Sequence, residues 1–152
     1  MNVQIEVPYR DIDAMGHVNN VAYLAYLEWA RQKYWLAMRG SGDIFDIDFV
    51  VARCEIDYRS SSHMGEILDI ETHVSRVGTS SFDFSYRVTG PDGRLVAEAK
   101  TTQVSYDWKT RTKTPVSEER RRQIERFERE GNPRTSGNSS NSLSPRPGER
   151  AG

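Results

Sequence analysis

Residues 9–39 read YRDIDAMGHVNNVAYLAYLEWARQKYWLAMR, and this stretch decides the fold. It opens with a short acidic turn that contains Asp11 and Asp13, and it continues as a long apolar segment. From Asn19 to about Arg39, apolar residues recur at helical spacing, namely Val21, Leu24, Leu27, Ala30 and Tyr34. Further aromatic residues widen this stripe, namely Tyr23, Tyr26, Trp29 and Trp35. A helix that is apolar over most of its circumference is normally buried by the rest of its domain.

The segments on either side of this helix have the pattern of β-strands. Val3, Ile5 and Val7 alternate with polar residues. Four later segments are rich in β-branched and aromatic residues and are separated by short turn signals; they span residues 50–58, 67–77, 80–89 and 95–106. A sheet must bury one of its faces, and the apolar helix is its only adequate partner. The order therefore predicts an α+β domain in which an antiparallel sheet covers one long helix.

Size, charge and cysteine usage restrict the class of protein. The chain has 152 residues, which fits a single domain with a real core. No apolar run is long enough to span a membrane, and the amino terminus has no secretion pattern. Cys54 is the only cysteine, so an intramolecular disulfide or an all-cysteine metal site cannot form. These features favour a cytoplasmic protein, and the net charge of −1 gives no general attraction to nucleic acid.

The carboxyl-terminal part of the sequence differs in composition from the rest. Residues 117–130 place Ile124 and Phe127 among blocks of charge, which predicts a solvated helix that packs two apolar side chains. Residues 131–152 are rich in Ser, Asn, Pro and Gly, and such a segment cannot bury enough apolar surface to order itself. We expect a main domain over residues 1–116, then the charged helix, then a disordered tail.

The acidic turn before the helix is the best candidate for chemistry. It offers the carboxylate of Asp13 beside the unpaired backbone N–H groups at the start of a helix. A base or nucleophile next to an oxyanion-stabilising helix end suits acyl transfer. The alternative is an ordinary helix start, in which Asp13 is only a capping residue and Asn20 only an N-cap.

The run from Asp13 through His17 to Asn20 resembles the signature of the 4-hydroxybenzoyl-CoA thioesterase-like acyl-CoA thioesterases, which have the hotdog fold. A weaker similarity continues through residues 58–82. The resemblance implies a five-stranded antiparallel sheet wrapped around one long central helix. It also implies an enzyme that hydrolyses an acyl-CoA thioester to a carboxylic acid and CoA, with no metal and no organic cofactor. Such an enzyme is expected to be a homodimer or a tetramer.

The resemblance also assigns roles to residues of the turn. Asp13 matches the catalytic carboxylate, which acts as nucleophile or as general base. The N–H at the position of Asn20 contacts the thioester carbonyl, and Gly16 permits close approach of the substrate. His17 matches a catalytic histidine of the plant acyl-ACP thioesterases, but the asparagine of that set is Met15 here. This departure leaves His17 as a positioning group.

The nucleotide site and the fallback base are further expectations from the resemblance. The family prototype contacts the CoA phosphates through a basic run, and the matching positions here include Thr79 and Ser80. Arg76 and Arg59 are the nearest candidate cations, and Ser60 is expected to line the cleft with its serine neighbours. Because some hotdog thioesterases carry the carboxylate on the central helix, Glu28 is the fallback base. An acyl-ACP thioesterase and a non-catalytic acyl-binding module remain alternative functions.

Overall fold

An antiparallel sheet curves around one central helix in the computed structural model, which describes residues 1–40 and 47–131. The elements in chain order are β1 (Asn2–Glu6), a 3₁₀ turn (Tyr9–Asp11), α1 (Ala22–Arg39), β2 (Phe49–Tyr58), β3 (Ile67–Val77), β4 (Ser81–Thr89), β5 (Leu95–Asp107), β6 (Thr112–Lys113), α2 (Glu118–Arg126) and a π-helical turn (Phe127–Gly131). The spatial order is β1-β3-β4-β5-β2, and the two-residue β6 pairs with β5. This confirms the predicted hotdog architecture, to which the short β6 is an addition.

The core lies between α1 and the inner face of the sheet. Along β4, Phe82, Phe84, Tyr86 and Val88 are buried at alternate positions, as expected for a strand with one covered face. Tyr34 of α1 packs edge-on against Phe84, with ring centroids 4.9 Å apart. Trp35 stacks on Phe82 at 5.8 Å. Aromatic rings bury a large area each, so these contacts fix the helix against the centre of the sheet.

Helix α1 ends where the sequence indicates, and it buries only part of the predicted apolar stripe. Gly40 terminates it with φ +71°, and its N–H bonds to the Leu36 carbonyl at 3.0 Å. The helix begins at Ala22 rather than at Asn19. Most of the predicted apolar residues are buried, namely Tyr23, Tyr26, Leu27, Ala30, Tyr34 and Trp35. Val21, Leu24 and Trp29 are exposed, so part of the predicted stripe is not covered by the sheet.

The carboxyl-terminal helix is joined to the rest of the domain by apolar side chains and by the carboxylate of Glu128. Ile124 of α2 is buried, and Phe127 contacts the ring of Tyr34 at 4.8 Å. Glu128 accepts hydrogen bonds from the Tyr34 hydroxyl and from the Val74 N–H, each at 2.7 Å. The predicted tail beyond Gly131 lies outside the described residues. Neither helix of the described segments is long and apolar enough to cross a membrane.

Candidate active site

The turn at Asp13 is closed by that residue's own carboxylate. Oδ1 accepts from the Met15 N–H at 2.8 Å and from the His17 N–H at 3.4 Å. The backbone closes the same loop through Asp13 N–H to the His17 carbonyl at 2.8 Å. Gly16 has φ +79°, a left-handed conformation that glycine adopts without strain. No described residue donates to Asp13 Oδ2, so one oxygen is fixed and the other is available.

Asp13 makes no capping bond to α1, whose N-cap position is Val21, and Asn19 closes the turn just before the helix. The Asn19 side chain accepts from the Val21 N–H at 2.9 Å, and its carbonyl accepts from the Ala22 N–H at 2.9 Å. The Asn20 carbonyl accepts from the Tyr58 hydroxyl at 2.8 Å. The N–H of Asn20 has no acceptor within the described part of the chain. The bond from Tyr58 fixes the peptide that follows Asn20. The N–H of Asn20 remains an unpaired donor, within the described residues, near the positive end of α1.

Five predicted site residues line one cleft of about 380 Å³ at the start of α1. They are Asp13, His17, Asn20, Arg59 and Ser60. The remainder of the wall comes from Met15, Val18, Tyr23, Tyr58 and Ser61. The loop after β2 is held against this cleft because the Val18 N–H donates to the Ser62 carbonyl at 2.9 Å. A carboxylate and an unpaired backbone donor therefore share one opening.

His17 lies in the cleft without touching the Asp13 carboxylate through its ring. Its imidazole packs edge-on against His63, with ring centroids 5.2 Å apart. His63 approaches Glu66 at 3.6 Å between Nδ1 and Oε1. The His17 ring thus contacts His63, and only the backbone N–H of His17 reaches the Asp13 carboxylate.

Two tyrosines of the cleft were not predicted as site residues. Tyr23 is buried and donates to the Ser62 hydroxyl at 3.0 Å, and burial raises its pKa. Tyr58 comes from the end of β2, and its ring lies 5.5 Å from that of Tyr23. The sequence gives no local signal for Tyr58, because its contact with Asn20 spans 38 residues. Both side chains line the cleft that contains Asp13 and Asn20.

The residues predicted for the nucleotide are divided between two ends of the sheet. Arg59 is at the cleft, where its guanidinium lies 3.3 Å from Glu98, and Ser60 donates to the Leu95 carbonyl at 2.7 Å. Arg76, Thr79 and Ser80 lie at and beyond the far end of β3, roughly 30 Å along the strand from its start near the cleft. Arg76 bonds to the buried Asp83 at 2.7 Å. Within one copy these three residues do not meet Asp13.

Asp11 and Glu28, the two other acids considered, do not line the cleft that contains Asp13. Asp11 accepts from the Tyr26 hydroxyl at 2.6 Å, and burial followed by this bond raises the tyrosine pKa. Glu28, the fallback base, lines a separate cavity of about 400 Å³ farther along α1. That cavity is larger and more apolar, but it does not combine a carboxylate with a free helix-end donor.

The chain is similar to known thioesterases in sequence and in structure. The chain is 32% identical over 133 residues to the long-chain acyl-CoA thioesterase FadM of Escherichia coli, a match that covers 84% of this chain and 98% of FadM. A structure of a thioesterase complexed with coenzyme A and Zn from Thermus thermophilus is similar with a TM-score of 0.76 and 31% identity, covering 84% of this chain and 92% of that one.

The fold has a more distant likeness as well. A structure of 4-hydroxybenzoyl CoA thioesterase complexed with 4-hydroxybenzoyl CoA superposes with a TM-score of 0.72 at 18% identity, over 82% of this chain and 97% of that one. At that identity the likeness shows the fold alone. The family model described as the thioesterase-like superfamily matches residues 7–124. With its hotdog fold and this match over most of its length, the chain belongs to the thioesterase-like superfamily.

Proposed function

We propose that this protein is an acyl-CoA thioesterase whose catalytic carboxylate is Asp13. One observation carries the assignment of the residue: Asp13 has one oxygen fixed by turn N–H groups and one unengaged, and it shares a cleft with the free N–H of Asn20. The chemistry of a thioester needs both parts, an attacking or proton-accepting group and a donor for the carbonyl oxygen. The similarity to FadM, itself an acyl-CoA thioesterase, supports the substrate class.

Two routes use the same geometry. In the first, Asp13 Oδ2 attacks the thioester carbon, the CoA thiolate leaves, and water then hydrolyses the mixed anhydride. In the second, Asp13 accepts a proton from a water molecule, which attacks the thioester carbon, and the thiolate leaves from the tetrahedral intermediate. In both, negative charge grows on the carbonyl oxygen, where the Asn20 N–H and the helix dipole stabilise it. His17 and Gly16 shape the turn that holds the carboxylate in place.

The test is release of free thiol from short, medium, long and aromatic acyl-CoAs by purified protein and by Asp13→Asn. The variant should lose about 10²- to 10⁴-fold in turnover, since a positioned base contributes that much. It should stay folded, because the amide oxygen still accepts from the Met15 N–H. Asp11→Asn is the matched control, and it should keep near-normal activity. Full activity in a folded Asp13→Asn protein would refute the assignment.

The acyl carrier could also be a protein rather than CoA. Arg59 is a half-exposed cation of the cleft, and it is the contact that we propose for the CoA phosphates. Arg76, Thr79 and Ser80 remain predictions for that role, because they lie at the other end of the sheet. Turnover of one acyl group on CoA and on acyl carrier protein would decide between the two donors. Tight binding of either thioester without hydrolysis would favour the non-catalytic alternative.

We further propose that the protein works as a homodimer in the cytoplasm. Strand β2 is at the edge of the sheet and pairs only with β5, and most of its side chains are exposed. An open edge of ten residues is a template for pairing with another chain. The cytoplasmic location is a prediction from the single cysteine, Cys54. Light scattering would test the dimer and would detect a tetramer.

A further inference from the structure

Arg94 joins the turn between β4 and β5 to the loop between β2 and β3. Its side chain is 26% exposed, and its Nη1 donates to Asp92 of its own turn at 2.8 Å. Its Nη2 donates to the Ser61 carbonyl at 3.1 Å and to the carboxylate of Glu66, the residue before β3. A planar guanidinium holds several acceptors at once in fixed directions. One side chain therefore fixes the β2–β3 loop against the neighbouring turn.

The β4–β5 turn leaves space for this guanidinium. A Cβ at Gly90 would lie 2.7 Å from Arg94 Nη1 and 2.9 Å from its Cζ, so a residue without a side chain suits that position. Burial raises the pKa of Glu66, but the hydrogen bonds from the His63 N–H and from Arg94 bring that pKa below its ordinary value. The contact thus joins a cation to an ionised carboxylate, and such charge-assisted hydrogen bonds are the strong ones.

The loop that Arg94 holds is one wall of the cleft that contains Asp13. Residues 59–61 line this cleft. Ser62, the next residue, is fully buried, and its carbonyl accepts from the Val18 N–H at 2.9 Å. Val18 directly follows the turn that the Asp13 carboxylate closes. The position of the loop therefore fixes one end of that turn.

A second connection to the same turn runs through two imidazole rings. Glu66 accepts from the His63 N–H at 3.1 Å, and the His63 ring packs edge-on against His17. The backbone N–H of His17 reaches the Asp13 carboxylate at 3.4 Å. Arg94 is thus linked to the Asp13 turn by two routes, although its own side chain does not line the cleft.

We propose that Arg94 is a positioning residue for Asp13: it sets the place of the β2–β3 loop, and the loop sets the place of the turn that carries the carboxylate. This inference rests on the proposed thioesterase function and deepens it. Displacement of a reacting group by 1 Å can cost about 10²-fold in rate, so a residue outside the cleft can control turnover. The alternative is that Arg94 only stabilises the β4–β5 turn.

The test compares R94M with Asp92→Ala, the matched control, in the full chain. R94M removes the bonds to Ser61 and Glu66, so kcat for thiol release should fall about 10- to 100-fold. Asp92→Ala removes only the bonds within the exposed turn, and it should keep near-normal turnover. R94K keeps the positive charge beside Glu66 but has a single nitrogen, so it should recover part of the lost activity.

Amide hydrogen exchange measures the same displacement without a substrate. In R94M the Val18 N–H should exchange at least about tenfold faster than in wild type, because its acceptor belongs to the loosened loop. The Phe84 N–H, in the middle of the sheet, is the reference for global stability and should change less. If R94M does not fold, R94K takes its place in both measurements, with effects of the same direction and smaller size.

The proposal is overturned if kcat or Val18 exchange is unchanged in R94M, or if Val18 and Phe84 accelerate equally. It is overturned as well if Asp92→Ala lowers kcat as much as R94M, since Arg94 would then act only on its own turn. Failure of the proposed function has a different signature, because a wild-type protein that hydrolyses no acyl-CoA would refute the thioesterase assignment. The exchange of Val18 would still decide whether Arg94 holds the Asp13 turn.

Discussion

Removal of one hydroxyl, in Tyr58→Phe, should slow turnover without unfolding the protein. The lost group donates to the Asn20 carbonyl at 2.8 Å and helps to orient the peptides around the free N–H. Phenylalanine keeps the ring contact with Tyr23. Tyr58 is 48% exposed, so water can satisfy the carbonyl in the variant and the fold loses little. The effect should therefore appear in the orientation of the donor rather than in stability.

The magnitude follows from the worth of one hydrogen bond. A neutral bond contributes about 0.5–1.5 kcal/mol net. If all of it serves to align the Asn20 N–H in the transition state, kcat falls between about 2-fold and about 12-fold, since 1.36 kcal/mol corresponds to tenfold in rate. The Michaelis constant should change little, because the substrate carbonyl bears less charge in the ground state.

The assay is steady-state thiol release, with kcat and KM fitted separately, together with a melting curve. Tyr106→Phe is the matched control: its ring packs on Trp108 at the far end of β5, and it should behave like wild type. An unchanged kcat for Tyr58→Phe would show that the hydroxyl does not position the donor. If kcat and the melting temperature fell equally in Tyr58→Phe and Tyr106→Phe, the effect would come from a loss of stability, and the reasoning would be refuted.

Three further predictions concern stability, and urea denaturation would measure each. Asp83 is buried, and the hydrogen bond from Arg76 holds its pKa at about 2, below the ordinary 3.8. Asp83→Asn should therefore lower the free energy of unfolding at pH 7 by up to about 2.5 kcal/mol. This difference between variant and wild type should shrink as the pH falls from about 4 to 2, because the native carboxylate is then protonated. A constant difference across that range would contradict the role of the charge. Glu128→Ala should cost about 3 kcal/mol, because the Tyr34 and Val74 donors lose a charged acceptor, whereas Glu130→Ala should be neutral. Gly16→Ala should cost about 1 kcal/mol through the left-handed backbone alone, since a Cβ there meets no atom within 4 Å; a neutral result would mean that the turn relaxes.

Local patterns account for the parts of the fold that could be predicted. Helical spacing located α1, and the glycine at position 40 located its end, because both depend on neighbours along the chain. The start was misplaced by three residues, since the side chain and the carbonyl of Asn19 close a turn onto the Val21 and Ala22 N–H groups instead of joining the helix. The hotdog architecture was expected from the family resemblance, and the order β1-β3-β4-β5-β2 is known only from the structure, because alternation predicts strands but not which strands pair.

The candidate site likewise combines residues that a local sequence pattern identifies with residues that only the fold brings together. Asp13, His17 and Asn20 lie within one short run, so a sequence signature contains them together. The place of Tyr58 in the cleft depends on where β2 falls beside the start of α1, a relation between segments far apart in the chain. The helix face was also wrong at Val21 and Leu24, because periodicity gives the width of an apolar stripe but not which part of it one copy of the chain covers.

The contact between Glu128 and Tyr34 has a consequence for biosynthesis. The two residues are 94 positions apart, so the hydroxyl at the middle of α1 emerges from the ribosome long before its acceptor is translated. Until then the early segments can collapse together, but the Tyr34 hydroxyl of α1 cannot form its native hydrogen bond to Glu128. The contacts of α1 are therefore completed only after residue 128 has been made, and nascent chains halted before that glutamate should be more readily digested by protease.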